Sequence, residues 1–194
     1  KEKALLIAGG HGIAPLYALA EQLLKEKKEV IFFIGACEKK HVIFRKEVET
    51  LGIKVNVSTE DGACGHKGYV TEPLEIYLKK VTDHPRLPSF GTYGRGRQSP
   101  TTGRGSRVTG HPPRGAGGSR ITIYACGPKP MLKEVARIAG KYKTSAQVSL
   151  DEYMACGIGV CQGCAIKTKS GYKLVCKDGP VFDAGEIVWG EERR

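Results

Sequence analysis

Apolar residues fall into short blocks separated by stretches with helical spacing. Residues 4–8 and 30–34 are compact apolar runs of strand length, and 53–58 and 121–125 repeat the theme. Between the first two runs, Leu16, Leu19, Ala20, Leu23 and Leu24 recur at spacings of three and four. That spacing gives a helix over 15–28 with one apolar face, and Pro15 suits its first turn, where a missing N–H leaves nothing unsatisfied. Further helices are expected over 42–51, 69–81 and 131–142, after which 148–150 leads out of the pattern. This alternation predicts an α/β fold, a parallel sheet with helices on both faces. Ligands of such a sheet sit at the carboxyl ends of its strands.

The pattern stops between 84 and 120. That stretch holds seven arginines, nine glycines and five prolines, with no lysine and no acid. Its arginines supply seven of the eleven net positive charges of the chain, so the basic character is local. Such a composition cannot bury enough surface to offset its ordering entropy, and a disordered insertion is expected. Its GRGR and GRGSR pieces resemble arginine–glycine RNA-binding tails. With the charge confined there, nucleic acid is not the expected partner.

No run approaches the ~18 apolar residues of a membrane span, and no signal peptide precedes the first strand. Seven cysteines, an odd number, argue against a disulfide scaffold and for a reducing, cytoplasmic compartment. The chain opens at Lys1 in what reads as a first strand, which suggests a fragment of a longer protein.

Three loops at strand ends carry candidate chemistry. Gly9, Gly10 and Gly12, followed by Ile13, Ala14 and Pro15, stand between a strand and a helix. Glycines there let a pyrophosphate approach the helix N-terminus, where free N–H groups favour anions. An ordinary tight turn has the same composition. Glu38, after the second strand, is placed to bind an adenosine ribose 2′-OH and to repel a 2′-phosphate, which favours NAD over NADP. Cys126, Gly127 and Pro128 form a rigid turn after the fourth strand. Asp61 and Glu60, in TEDG, could close the same cleft or simply make a turn.

The C-terminal part carries a stronger signal. Cys156, Cys161, Cys164 and Cys176 stand as C-x4-C-x2-C-x11-C inside ACGIGVCQGC. Four thiolates at this spacing suit a 2Fe–2S cluster, and Gly157, Gly159 and Gly163 would let backbone N–H groups approach the sulfurs. Zinc is the competing occupant, although zinc ribbons pair two C-x2-C knuckles and only Cys161 and Cys164 form one. Lys167, Lys169, Lys173 and Lys177 lie close by in sequence; they either raise the cluster potential or form a solvated face. Cys37 and Cys64 have no partner by spacing.

Together GGHGIAP, TEDG, GHKGYVTE, YACGPKPML and SLDEYMACGIGVCQGC resemble the electron-transfer subunit of class 1B dihydroorotate dehydrogenase, of the ferredoxin reductase-like superfamily. The resemblance implies an NAD-binding domain over 1–147, interrupted by the insertion 84–120, and a small 2Fe–2S domain over 148–194, rich in loops and short strands. It implies Cys126 near the nicotinamide and the four cysteines as cluster ligands. It also implies a relay: dihydroorotate is oxidised at FMN in a catalytic partner subunit, electrons pass through the 2Fe–2S cluster to FAD, and FAD reduces NAD+. The assembly implied is a heterotetramer of two plus two subunits serving pyrimidine (UMP) biosynthesis. The family's flavin barrel should precede Ala4 and nothing here represents it, so this chain alone is expected to hold the cluster but little FAD. The alternatives are a subunit of another iron–sulfur flavoprotein, or a zinc-stabilised interaction module.

Overall fold

The computed structural model describes residues 2–82 and 121–190. The insertion 84–120, and with it the RNA-binding alternative, lies outside the described residues.

The expected alternation is present. β1 (Lys3–Gly9), α1 (Ile13–Lys25), β2 (Glu29–Ala36), α2 (Arg45–Thr50), β3 (Lys54–Thr59), β4 (His66–Lys67) and α3 (Thr71–Thr82) follow one another. β5 (Ile121–Cys126), α4 (Lys129–Lys141) and β6 (Ser145–Ser149) then continue the series. The sheet runs β4-β3-β2-β1-β5-β6-β9, where β9 (Val181–Asp183) comes from the C-terminal segment. β1 lies parallel between β2 and β5, so the chain winds outward on one side and later returns to the other. The crevice at this reversal is where an open parallel sheet binds ligands.

β1 explains why helices cover both faces. Leu5 and Ile7 point into a core shared with Leu74 and Leu78 of α3 and Leu132, Val135 and Ile138 of α4. Ala4, Leu6 and Ala8 point the other way, against Ile13, Leu16, Ala20 and Leu23 of α1. A central strand buried on both faces reads as continuous apolar sequence, as 4–8 does.

Three expectations need correction. The helix expected over 42–51 shrinks to α2, because Phe44 adopts a left-handed conformation (φ 56°) that the helix cannot continue through. A single turn of 3-10 helix at Lys39–His41 precedes it. At the first loop, another such turn at Gly10–Gly12 runs straight into α1, so the helix begins at Ile13 rather than Pro15. Finally, 148 and 149 belong to a full sheet strand. In β6, buried Ala146 and Val148 alternate with half-exposed Ser145, Gln147 and Ser149, the period of a strand with only one face covered.

The C-terminal segment forms a hairpin of β7 (Ala165–Thr168) and β8 (Gly171–Leu174), one helical turn, α5 (Val175–Asp178), and β9. β9 pairs antiparallel with β6, Phe182 facing Val148. Val175, Phe182 and Ile187 enter the same core as Leu5 and Ile7. The boundary expected at 147/148 therefore falls inside a strand of the shared sheet.

Candidate nucleotide cleft and four-cysteine site

A cavity of about 790 Å³ opens at the carboxyl ends of β1, β2 and β5, lined in part by Gly9, Gly10, Gly35, Tyr69, Pro128 and Met131. Two of the expected loops meet beneath it, and glycine is what lets them meet. A Cβ on Gly12 would lie 2.1 Å from the Cys126 carbonyl oxygen, and one on Gly9 would lie 2.8 Å from Pro128 and Met131. The backbones pack directly, leaving room for a ligand rather than for side chains. Gly9, Gly10 and Pro128 reach the wall. Gly12 and Ile13 are buried below it, while Ala14 and Pro15 are exposed on the first turn of α1. Cys126 is also buried, and that burial pushes its thiol up from the ordinary range, which favours the neutral form. Gly127 shapes the turn that carries the chain from Cys126 to Pro128.

The acids divide differently from the sequence reading. Glu38 is exposed, pairs with Lys40 Nζ at 2.9 Å and is not on the cavity wall. Asp61 caps its own turn, accepting the Ala63 N–H at 2.9 Å, which holds its carboxyl below the usual range. Glu60 is the acid of this group that lines the cavity, where it accepts the Cys37 S–H at 3.5 Å. Lys40 adds positive charge to the same wall, which His11 and His41 also line. Lys40 and His41 are cavity residues outside every motif, while Tyr69 and Met131 lie within GHKGYVTE and YACGPKPML without having been given a role. For Lys40 and His41, the basic KKH run after β2 was the available signal.

The four cysteines gather in the C-terminal segment as two neighbouring pairs. Cys161 donates its backbone N–H to Cys156 Sγ at 3.4 Å, and Cys176 donates its own to Cys164 Sγ at 3.5 Å. Backbone N–H groups of Cys161, Ile158 and Val160 hold the Cys156 thiol down to about 6. The Cys176 N–H lowers Cys164 in the same way, while the Cys164 sulfur beside it raises Cys176. Sulfurs poised as thiolates are what a metal centre requires. Among the described residues, no three His, Cys, Asp or Glu side chains close on one metal-ion position. Two pairs would suit a two-iron core, in which each iron takes two thiolates.

The loop glycines behave largely as expected. Gly157 and Gly159 have φ of 70° and 82°, but at the third position the left-handed residue is Gln162 (φ 57°). Gly163 serves through its N–H, 3.4 Å from Cys161 Sγ. Of the four lysines, Lys177 lays its stem over Gly159, 3.1 Å from where a Cβ would stand, and Lys173 pairs with Glu186 at 3.3 Å. No helix among the described residues is long and apolar enough to cross a membrane.

Two family profiles match separate parts of the chain. The family profile described as "Oxidoreductase NAD-binding domain" matches residues 6–86. The "Iron-sulfur cluster binding domain of dihydroorotate dehydrogenase B" matches 151–188. The chain is 34 % identical over 192 residues to "Dihydroorotate dehydrogenase B (NAD(+)), electron transfer subunit" of Caldanaerobacter subterraneus, covering 97 % of this chain and 60 % of that protein. The "Probable" subunit of the same name from Methanocaldococcus jannaschii is 30 % identical over 191 residues, covering 98 % of this chain and 56 % of that protein. The chain thus spans somewhat over half the length of the relatives it matches. Among solved structures, the NADH-dependent reduced ferredoxin-NADP oxidoreductase involved in flavin-based electron bifurcation has the same fold. It matches with a TM-score of 0.68 at 24 % identity, over 97 % of this chain and 55 % of that one. With matches to both its NAD-binding sheet and its four-cysteine segment, the chain is similar over nearly its whole length to part of the dihydroorotate dehydrogenase B electron transfer subunits.

Proposed function

We propose that this chain is the nucleotide- and cluster-binding part of the electron transfer subunit of an NAD-linked dihydroorotate dehydrogenase. The observation that carries the reading is the two-pair cysteine site on a segment whose β9 is built into the edge of the nucleotide-binding sheet. A 2Fe–2S cluster held there exchanges single electrons, which suits a place between the FMN of a catalytic partner and an FAD that delivers pairs to NAD+. Cys156 and Cys161 would hold one iron, Cys164 and Cys176 the other. FAD would be carried by a flavin domain of the kind that precedes this part in the superfamily. The division into an NAD-binding part up to about residue 147 and a cluster part beyond it belongs to this proposal, as do the two-plus-two assembly with the FMN subunit, the cytoplasmic location and a role in pyrimidine biosynthesis.

Within the cavity, the glycine turns at Gly9–Gly12 and Cys126–Pro128 leave space for the pyrophosphate, with Lys40 supplying positive charge and His11 and His41 ring N–H donors. Of the acids that follow the strand ends, Glu60 is the one on the wall for the ribose hydroxyls, and it would favour NAD over NADP. The partner's docking face is the cysteine loop itself. Tyr153, Ile158 and Val160 are 96 %, 74 % and 74 % exposed there, an apolar surface beside the cluster ligands.

The test is reconstitution of the full-length subunit with the catalytic subunit. Dihydroorotate should reduce NAD+ only when both are present, and NADPH should reduce the flavin far more slowly than NADH. Dihydroorotate-dependent NAD+ reduction that persists after cluster removal would overturn the relay. On the nucleotide side, Glu60→Gln should weaken NADH binding by about tenfold, the worth of a hydrogen bond to a charged group, while Glu38→Gln leaves it unchanged.

A further inference from the structure

The geometry points to Lys129 and Glu152 as a positioning pair that ties the cysteine loop to the nucleotide turn, so that occupancy of the cavity is transmitted to the loop that holds the cluster. The inference rests on the nucleotide reading of the cavity and goes beyond it.

β5 and β6 end side by side, with Cys126 paired in register with Ser149. From there the two chains diverge. One enters the Cys126–Pro128 turn and α4 under the cavity, and the other runs toward Cys156. Three residues beyond each strand end they are joined again. Lys129 Nζ lies 2.7 Å from Glu152 Oε1 and 2.9 Å from Oε2, bonding to both oxygens. The Glu152 side chain is only 15 % exposed, against 53 % for Lys129, so the carboxylate is shielded while the lysine reaches in from the surface.

Both partners stand where the coupling requires. Lys129 is the first residue of α4, flanked by Pro128 and Pro130, and both prolines line the cavity. A cation in the first turn of a helix opposes the helix dipole, and α4 has no acid in that turn to offset it. Helix stability therefore does not explain Lys129, whereas a carboxylate brought over from another segment does. On the other side, Leu150 is anchored by its N–H to the Pro180 carbonyl at 3.0 Å. Between Leu150 and Cys156, Glu152 supplies the side-chain bond; among the described residues no other side chain of 151–155 makes a hydrogen bond or ion pair. The leading end of the loop is held to the nucleotide-binding part through this carboxylate, while its far end is anchored by buried Cys164 in the shared core. A ligand that orders the Pro128–Pro130 wall thus also orders Lys129 and, through Glu152, the approach to the first cysteine. By linkage the effect runs equally in reverse.

The test is hydrogen exchange by mass spectrometry on the iron–sulfur-loaded chain, with and without NADH. NADH should slow exchange over 127–131 and also over 153–164, the latter by about two- to fivefold, the range of a partly exposed ion pair. Glu152→Gln should keep the first effect and lose the second. Lys129→Gln should do the same from the other side, and the charge-swapped double variant, Lys129→Glu with Glu152→Lys, should restore it. Unaltered NADH protection of 153–164 in Glu152→Gln and Lys129→Gln would overturn the pairing. Protection confined to 127–131 in the unmodified chain would overturn the coupling while leaving the cavity reading intact. NADH protection at neither region would remove the cavity reading, and the coupling with it.

Discussion

The sheet and the cysteine loop are stabilised by different physics. In the sheet, Leu5, Leu6, Ile7, Phe32 and Phe33 are buried on one face or the other, and hydrophobic burial fixes strand order and register. In the loop from Asp151 to Gly163, no residue is buried and no helix or strand forms. What organises it are N–H groups turned toward sulfur and glycines in left-handed conformations. A segment with so little apolar burial draws its stability from the metal centre it wraps, so binding and local folding are one event. The two regions should therefore fail independently.

The largest effect expected is on the loop. Cys161→Ser removes one of four thiolates from an exposed position and should abolish most cluster binding, read as loss of iron and of visible absorption. Far-ultraviolet circular dichroism of the sheet should persist. If the sheet unfolds as well, the two regions are not independent. Cys164→Ser is a harsher variant, because Cys164 also belongs to the core beside Val175 and Phe182.

Phe33→Ala tests the other side. Phe33 is buried and meets Tyr77 edge-on at 6.1 Å between ring centres. Removing it should destabilise the sheet by about 3–5 kcal/mol in denaturant unfolding. Under native conditions the cluster absorption should be retained, and bleaching without unfolding would contradict the division.

Gly12→Ala sits where the nucleotide loops touch. Its new methyl would collide with the Cys126 carbonyl, so the turns must separate, at a cost of about 1–3 kcal/mol. Weaker NADH binding should accompany the loss of stability. Unchanged affinity would mean that the close approach of the two loops does not shape the cavity.

The smallest effect lies on the surface. Glu75 of α3 accepts from Lys141 Nζ at 2.6 Å and lies 3.5 Å from Arg137, both on α4, and Lys141 holds its carboxyl below the usual range. A depressed carboxyl contributes its stability above the unfolded pKa of about 4.3, and loses it as the pH falls through the lower folded value. Glu75→Gln should lower the melting temperature slightly at pH 7. That difference should shrink as the pH falls through the lowered folded value, and a difference that grows in acid would contradict the assignment.

The same contrast explains what the sequence made legible. Runs such as 4–8 and 30–34 announce themselves because burial on both faces leaves no polar residue in them. β6 hid because Ser145, Gln147 and Ser149 dilute its apolar face, and α2 was overestimated because left-handed Phe44 leaves no mark in composition. The cysteines were legible because thiolate spacing is chemistry that a sequence states directly. The cavity acids were not. Glu38, Glu60 and Asp61 all follow strand ends, and only the packing of the turns distinguishes the one on the wall.

The central claim, that four cysteines hold a two-iron cluster at the edge of a nucleotide-binding sheet, is tested most directly by elemental analysis of the anaerobically purified chain. About two iron and two acid-labile sulfide per chain are expected, with visible absorption bands that disappear on chelation. About one zinc per chain, with no labile sulfide and no colour, would contradict it.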